Sequence, residues 1–273
     1  MTAADGIYAL RYATRTESFE GEHFLGHPDD CHARRPIHYY TWVIVSDGVP
    51  VVFDTGFTPE EAQRRGNRDY EGTPLELLRV LGFEAVDVPF VVLSHLHYDH
   101  TGFVDAYPNA RVVVQRAELD FWEGPFSHRG AFAHLRPDDD LLALRALIDA
   151  GRVDLLDGDL ALTSAIGVHA VGGHTAGMQV LSVQTDRGPV VLASDASHFY
   201  DNVESDRPYG TLLDVQRTYE AFDRLVELAG ADGVIVPGHD PRVAERHQPL
   251  SADPRIISIR PEQARHNERK THE

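Results

Sequence analysis

The sequence predicts a layered α/β sandwich formed by a single domain of 273 residues. Three observations carry this expectation. Short β-branched and aromatic runs, such as 89–93 and 233–237, have the length and composition of buried strands, and amphipathic segments of helical period lie between them. Side chains with metal-ligand chemistry fall just after several of these runs, as expected where strand ends gather along one edge of a sandwich. The chain is long enough for a large core and shows no repeat, low-complexity segment or linker.

Taken in order, residues 7–12 alternate as an edge strand would. Residues 17–36 are polar and turn-rich, with His23, His27 and His32 beside Cys31. The paired spacing of a zinc finger is missing, so the segment reads as a loop lying over a site. Residues 37–45 and 50–56 form a hairpin turning at Asp47-Gly48. Asp54 ends the second strand, where it can orient a ligand imidazole from behind. Thr73 as N-cap, Pro74 at the first helical position and Glu76 at the third start a helix that runs to Leu81 and stops at Gly82.

Strand 89–93 leads into residues 94–102, followed by a short helix near 103–106 and a strand at 111–115. Residues 121–136 are aromatic without clean periodicity; they fit a core-packing loop or the wall of an apolar pocket equally well, with Phe126 and Phe132 as candidate substrate contacts. A helix at 138–150 has acids in its first turn, as the dipole favours. Strand 166–171 leads to Gly172-Gly173-His174, and a hairpin turning at 186–188 ends at Asp195. The longest amphipathic helix covers 211–229, with Leu212, Val215, Tyr219, Phe222, Val226 and Ala229 on one stripe. The last strand, 233–237, ends at Gly238-His239, and a polar tail over about 255–273 frays beyond Arg260.

The formal charge of −18, from 25 Lys and Arg against 43 Asp and Glu, argues against nucleic acid or an anionic membrane as partners. No apolar run approaches membrane-spanning length, no secretory leader is visible, and the single cysteine fits a reducing compartment. The expectation is a cytoplasmic protein acting on a small molecule; a homodimer is compatible with the sequence.

The densest chemistry lies in His95, His97, Asp99 and His100. Alternation puts His95 and His97 on one side, and a turn into a helix can aim Asp99 and His100 at the same cavity. Neutral imidazoles and carboxylates suit Zn, Mn, Fe or Co. His174, Asp195 and His239 bring the ligand-type groups to seven, more than one four-coordinate ion uses. Two ions sharing a bridging carboxylate account for all of them.

The H-x-H-x-D-H motif at 95–100, the Gly-His-Thr loop at 173–175, Asp195 closing one strand and Gly238-His239 closing another resemble the metallo-β-lactamase superfamily over roughly residues 37–247. The resemblance implies an αββα sandwich of two mixed sheets flanked by helices. It implies two divalent ions per chain, zinc ahead of Mn, Fe or Co: His95, His97 and His174 on one, Asp99, His100 and His239 on the other, Asp195 bridging. Residues 194–197 look most like the N-acyl homoserine lactonases and related lactone hydrolases. The implied activity is opening of a lactone ring by hydroxide held between the ions, with Asp99 relaying a proton. That family commonly carries a catalytic tyrosine three residues after the bridging aspartate; here the position is His198, taken as the substitute donor, with Tyr200 next in line. The alternative is a thioester hydrolase of the hydroxyacylglutathione type, which uses the same seven groups but appends a helical domain.

Overall fold

The computed structural model describes residues 2–26 and 30–261; His27 and the tail from residue 262 lie outside the described residues. In chain order the strands are β1 (Gly6–Arg15), β2 (Ile37–Ser46), β3 (Val49–Phe53), β4 (Asp69–Tyr70), β5 (Phe90–Val92), β6 (Arg111–Gln115), β7 (Val153–Leu156), β8 (Leu160–Ala161), β9 (Ile166–Ala170), β10 (Gln179–Val183), β11 (Val190–Ser194), β12 (Val234–Pro237), β13 (Gln248–Pro249) and β14 (Ile256–Ile259). The larger sheet runs β13-β14-β1-β2-β3-β5-β6-β7, with β4 pairing with β1, and the smaller runs β12-β11-β10-β9-β8. Strands β3, β5, β6 and β7 are mutually parallel, as are β11 and β12; the remaining pairs are antiparallel.

Side-chain alternation builds the layers. Val51, Phe53, Val92 and Val113 of the larger sheet pack with Leu181, Val183, Val190 and Leu192 of the smaller one. Their neighbours Val52, Val91, Val112 and Val114 face outward and meet Leu77, Leu119, Leu141 and Leu144 from the helices Pro74–Val80, Arg116–Glu123 and Asp138–Asp149. On the other side Val180, Val191 and Ala193 meet Phe222, Leu225 and Ala229 of the helix Val215–Ala229. The order is therefore helices, sheet, sheet, helix: the αββα sandwich. Each fully buried Val, Leu or Phe contributes about 1.5–3 kcal/mol relative to exposure, so most of the stability lies in these three interfaces. No helix of the described residues is long and apolar enough to cross a membrane.

The predicted cap of the helix Pro74–Val80 is present: Thr73 Oγ1 accepts from Glu76 N at 3.1 Å, and Glu76 Oε2 accepts from Thr73 N at 2.8 Å. Four expectations change. Strand β1 is interior, because β14 pairs with it on the side away from β2. The same pairing makes Ile256–Ile259, expected in the polar tail, a buried strand. The short helix expected near 103–106 falls at Tyr98–Thr101. It ends where Gly102 N donates to Gly56 O at 2.6 Å, and residues 103–106 keep only three-residue turns. The long helix starts at Val215, because Asp214 caps it and residues 211–213 are bound to the His174 loop. Its buried stripe is Thr218, Ala221, Phe222, Leu225 and Ala229, while Val215, Tyr219 and Val226 are exposed. Gly173, at φ 86°, permits this contact: a Cβ there would stand 2.7 Å from Thr218 Cα.

Candidate metal centre

The parallel strands of both sheets end at one edge. Asp54 follows β3, His95 follows β5 after Leu93 and Ser94, Asp195 follows β11, and His239 follows β12 after Gly238. His174 lies in the connection from β9 to β10, and Asp99 and His100 sit on the short helix Tyr98–Thr101. Asp54 and Ser194 hold left-handed φ values of 62° and 43°, a local cost that recurs where strand ends are shaped around a site.

Asp195 is the centre of the arrangement. Its Oδ2 lies 3.4 Å from His174 Nε2 and 3.8 Å from His95 Nε2, while its Oδ1 lies 3.0 Å from His239 Nε2 and 3.4 Å from His100 Nε2. His97 Nδ1 stands 3.1 Å from His174 Nε2. Asp99 Oδ1 and Oδ2 lie 3.7 Å from His100 Nε2 and 3.8 Å from His239 Nε2. Three overlapping buried groups result: His95, His97, His174 and Asp195; Asp99, His100 and His239; and Asp195, His198 and His239.

Four of these imidazoles are anchored on the far nitrogen. His100 Nδ1 donates to Asp54 Oδ2 at 2.8 Å, His174 Nδ1 to Thr211 O at 2.7 Å and His239 Nδ1 to His38 O at 2.8 Å; His95 Nδ1 meets Ser94 Oγ at 2.8 Å. Asp54 also accepts from Ser94 N at 2.7 Å, Ser94 Oγ at 2.9 Å and Ser194 Oγ at 2.8 Å. The inward nitrogens of His95 and His100 are buried without a hydrogen-bond partner. Buried polar atoms are rarely left so, and lone pairs converging on a carboxylate fit divalent metal ions.

Electrostatics sort the histidines. Burial holds His95 and His97 well below the ordinary imidazole value and His174 at about 3, leaving them neutral. Burial also opposes charge on His100 and His239, but Asp195 and Asp99, joined by Asp54 at His100, outweigh it and raise both. Burial would raise Asp195, yet His198, His239 and His100 hold it well below the carboxylate range.

His198 joins the cluster: its Nε2 lies 3.0 Å from Asp195 Oδ2, while its Nδ1 is buried and unpartnered. Burial, only partly offset by Asp195, lowers it to about 4. Tyr200 does not join; its ring belongs to the core between the sheets, beneath Arg242 and Arg246. Phe126 is 58% exposed, and Phe132 packs on Phe121 with ring centroids 5.2 Å apart. Neither is brought to the cluster. From 121–136 it is Trp122 that reaches it, edge-on to His97 at 5.3 Å.

Sequence reasoning missed two residues. Tyr209 stacks on His198, centroids 3.4 Å apart and 4° from parallel, and its hydroxyl meets His23 Nδ1 at 2.9 Å. The polar segment before β2 thus reaches the site through His23. Glu118 is fully buried behind the His95–His97 loop. Its available signal was a carboxylate on the apolar stripe of a helix that also carries Leu119 and Trp122.

A four-layer αββα sandwich with a buried histidine–aspartate cluster at its strand ends defines a fold that holds metal ions. The chain belongs to the metallo-beta-lactamase superfamily, whose sequence model matches residues 34–239. The N-acyl homoserine lactonase AttM of Azorhizobium caulinodans is 34% identical over 179 residues, 64% of this chain and 66% of its own length. An AttM lactonase of Agrobacterium fabrum is 33% identical over 172 residues, 61% and 64% of the respective lengths. The chain thus matches just under two thirds of the length of these curated relatives. A solved quorum-quenching N-acyl homoserine lactone lactonase shares the fold with a TM-score of 0.71 at 21% identity, covering 89% of this chain and 94% of that one. The dizinc quorum-quenching lactonase AidC does so with a TM-score of 0.64 at 20% identity, covering 86% of each.

Proposed function

We propose that the protein is a cytoplasmic hydrolase that opens lactone esters, N-acyl homoserine lactones or close analogues, using two divalent ions, zinc by preference. The observation that carries this reading is the placement of Asp195, one oxygen facing His95 and His174 and the other facing His100 and His239. His95, His97 and His174 would hold one ion, Asp99, His100 and His239 the other, and Asp195 both. When bound, such ions polarise a carbonyl and bring the pKa of water towards 7. The choice of a lactone follows the curated relatives named as lactonases.

The chain's own groups have defined tasks in this reaction. Water adds to the carbonyl carbon, the ring C–O bond breaks, and the departing oxygen takes a proton. Asp99, the least buried of the cluster's carboxylates, passes that proton. His198, neutral at pH 7, carries a single N–H at the position where lactonases commonly have tyrosine. Its stacking on Tyr209 fixes the ring plane beside Asp195.

The test is a panel of N-acyl homoserine lactones, simple γ- and δ-lactones and glutathione thioesters, followed by proton release. Turnover of lactones without turnover of thioesters is the expected result. Activity confined to the thioesters would replace this reading with the glutathione-thioester one.

A further inference from the structure

Among the groups outside the cluster, Glu118 makes the most specific set of contacts. It is the third residue of the helix Arg116–Glu123, 0% exposed, and among the described residues no arginine or lysine pairs with it. Its Oε1 accepts from Leu96 N at 3.0 Å and from Trp122 Nε1 at 2.7 Å; its Oε2 accepts from Gly177 N at 2.7 Å. Leu96 lies between His95 and His97. Gly177 closes the loop that carries His174. Trp122 is the ring set against His97. One carboxylate therefore ties down every segment bearing the three histidines of one group and contacts none of Asp99, His100 and His239.

The local sequence is shaped for this contact. A Cβ on Gly177 would stand 2.5 Å from Glu118 N and 2.6 Å from Glu118 Cβ, so a side chain there would push the His174 loop off the helix. An apolar residue at 118 would fill the same space, but it would leave three buried donors unpaired at about 1–3 kcal/mol each. A buried anion without a cation is costly: burial raises the Glu118 carboxyl above its ordinary value, and the N–H donors at this helix N-terminus offset that in part.

Building on the two-ion reading, we propose that Glu118 is a positioning residue that fixes His95, His97 and His174 in place before an ion binds and sets the affinity of that one site. Glutamine at 118 keeps the shape but turns an NH2 towards at least one of these donors in either orientation. Groups behind metal ligands typically change affinity by about 10–100-fold when altered.

The experiment measures zinc binding to metal-free wild type and Glu118→Gln by competition with a chromophoric chelator, together with amide hydrogen exchange of the metal-free wild type. In Glu118→Gln, one ion should bind about 10–100-fold more weakly and the other within twofold of wild type. In the wild type, the Leu96 and Gly177 amides should already be protected before zinc is added. Equal weakening of both ions would mark a general loss of stability and overturn the proposal, as would unchanged binding of both. If Glu118→Gln does not fold, the exchange experiment decides alone: amides that gain protection only with zinc refute the proposal. A wild type that binds no zinc would instead refute the two-ion reading, and the exchange result would still judge whether Glu118 holds the loops.

Discussion

Replacing Asp54 by asparagine tests how the fold aims His100 at the cluster. Asp54 sits at φ 62°, a conformation asparagine tolerates nearly as well as aspartate, so the backbone has no reason to move. The carboxylate accepts from Ser94 N, Ser94 Oγ, Ser194 Oγ and His100 Nδ1. Asparagine keeps one oxygen. If that oxygen serves Ser94 N, the NH2 group faces the two hydroxyls and His100. The hydroxyls can rotate to accept, but His100 can accept only with its proton on Nε2, the nitrogen aimed at the cluster. Forcing the proton back to Nδ1 sacrifices a charge-assisted hydrogen bond worth about 1.5–3 kcal/mol. That corresponds to roughly 10–100-fold in affinity, matching the usual effect of altering a group behind a ligand. The reverse orientation leaves Ser94 N unpaired and costs about 1–3 kcal/mol of stability instead. Competitive zinc titration and denaturant unfolding of Asp54→Asn distinguish the two. Wild-type affinity for both ions together with wild-type stability would refute the claim that Asp54 sets the state of His100.

Asp195→Ala should lose both ions or nearly so, because its oxygens face both sets of histidines; metal analysis of the purified variant showing one tightly held ion would contradict the bridge. His198→Ala should keep both ions but lose about 100-fold in lactone turnover, whereas Tyr200→Phe, altered within the core, should keep wild-type turnover; steady-state rates separate the two. The pH dependence of folding should show His23, which burial lowers to about 4. Below about 6.5 the unfolded chain takes up a proton that the folded chain refuses until about 4, so stability falls with pH across that window. The gap is worth at most about 3 kcal/mol. His23→Gln should flatten the slope of unfolding free energy between pH 6.5 and 4; an unchanged slope would show that His23 charges freely in the fold.

The metal-binding character of the chain was legible because its ligand-type residues follow apolar strands in close succession, and the Thr73-Pro74-Glu76 cap was legible because capping is local. What escaped depends on contacts between distant segments. The interior position of β1 requires β14, about 250 residues away in sequence. The buried stripe of the helix Val215–Ala229 is the face that meets β10 and β11, with Thr218 against the His174 loop, and hydrophobicity alone selects a different face. Tyr209 has unremarkable local sequence, Glu118 shows only a carboxylate on an apolar stripe, and both roles exist only where another segment meets them. Phe126 shows the converse: an aromatic residue in a promising stretch that the fold leaves in solvent.

In the proposed function, lactone hydrolysis depends on two ions held by Asp195 and its six neighbours. Zinc titrated into metal-free protein, with lactone turnover and bound zinc measured on the same samples, tests it most directly. Turnover should be absent without metal and should rise to a plateau at two ions per chain. Full turnover at one ion per chain, or turnover that survives complete metal removal, would contradict it.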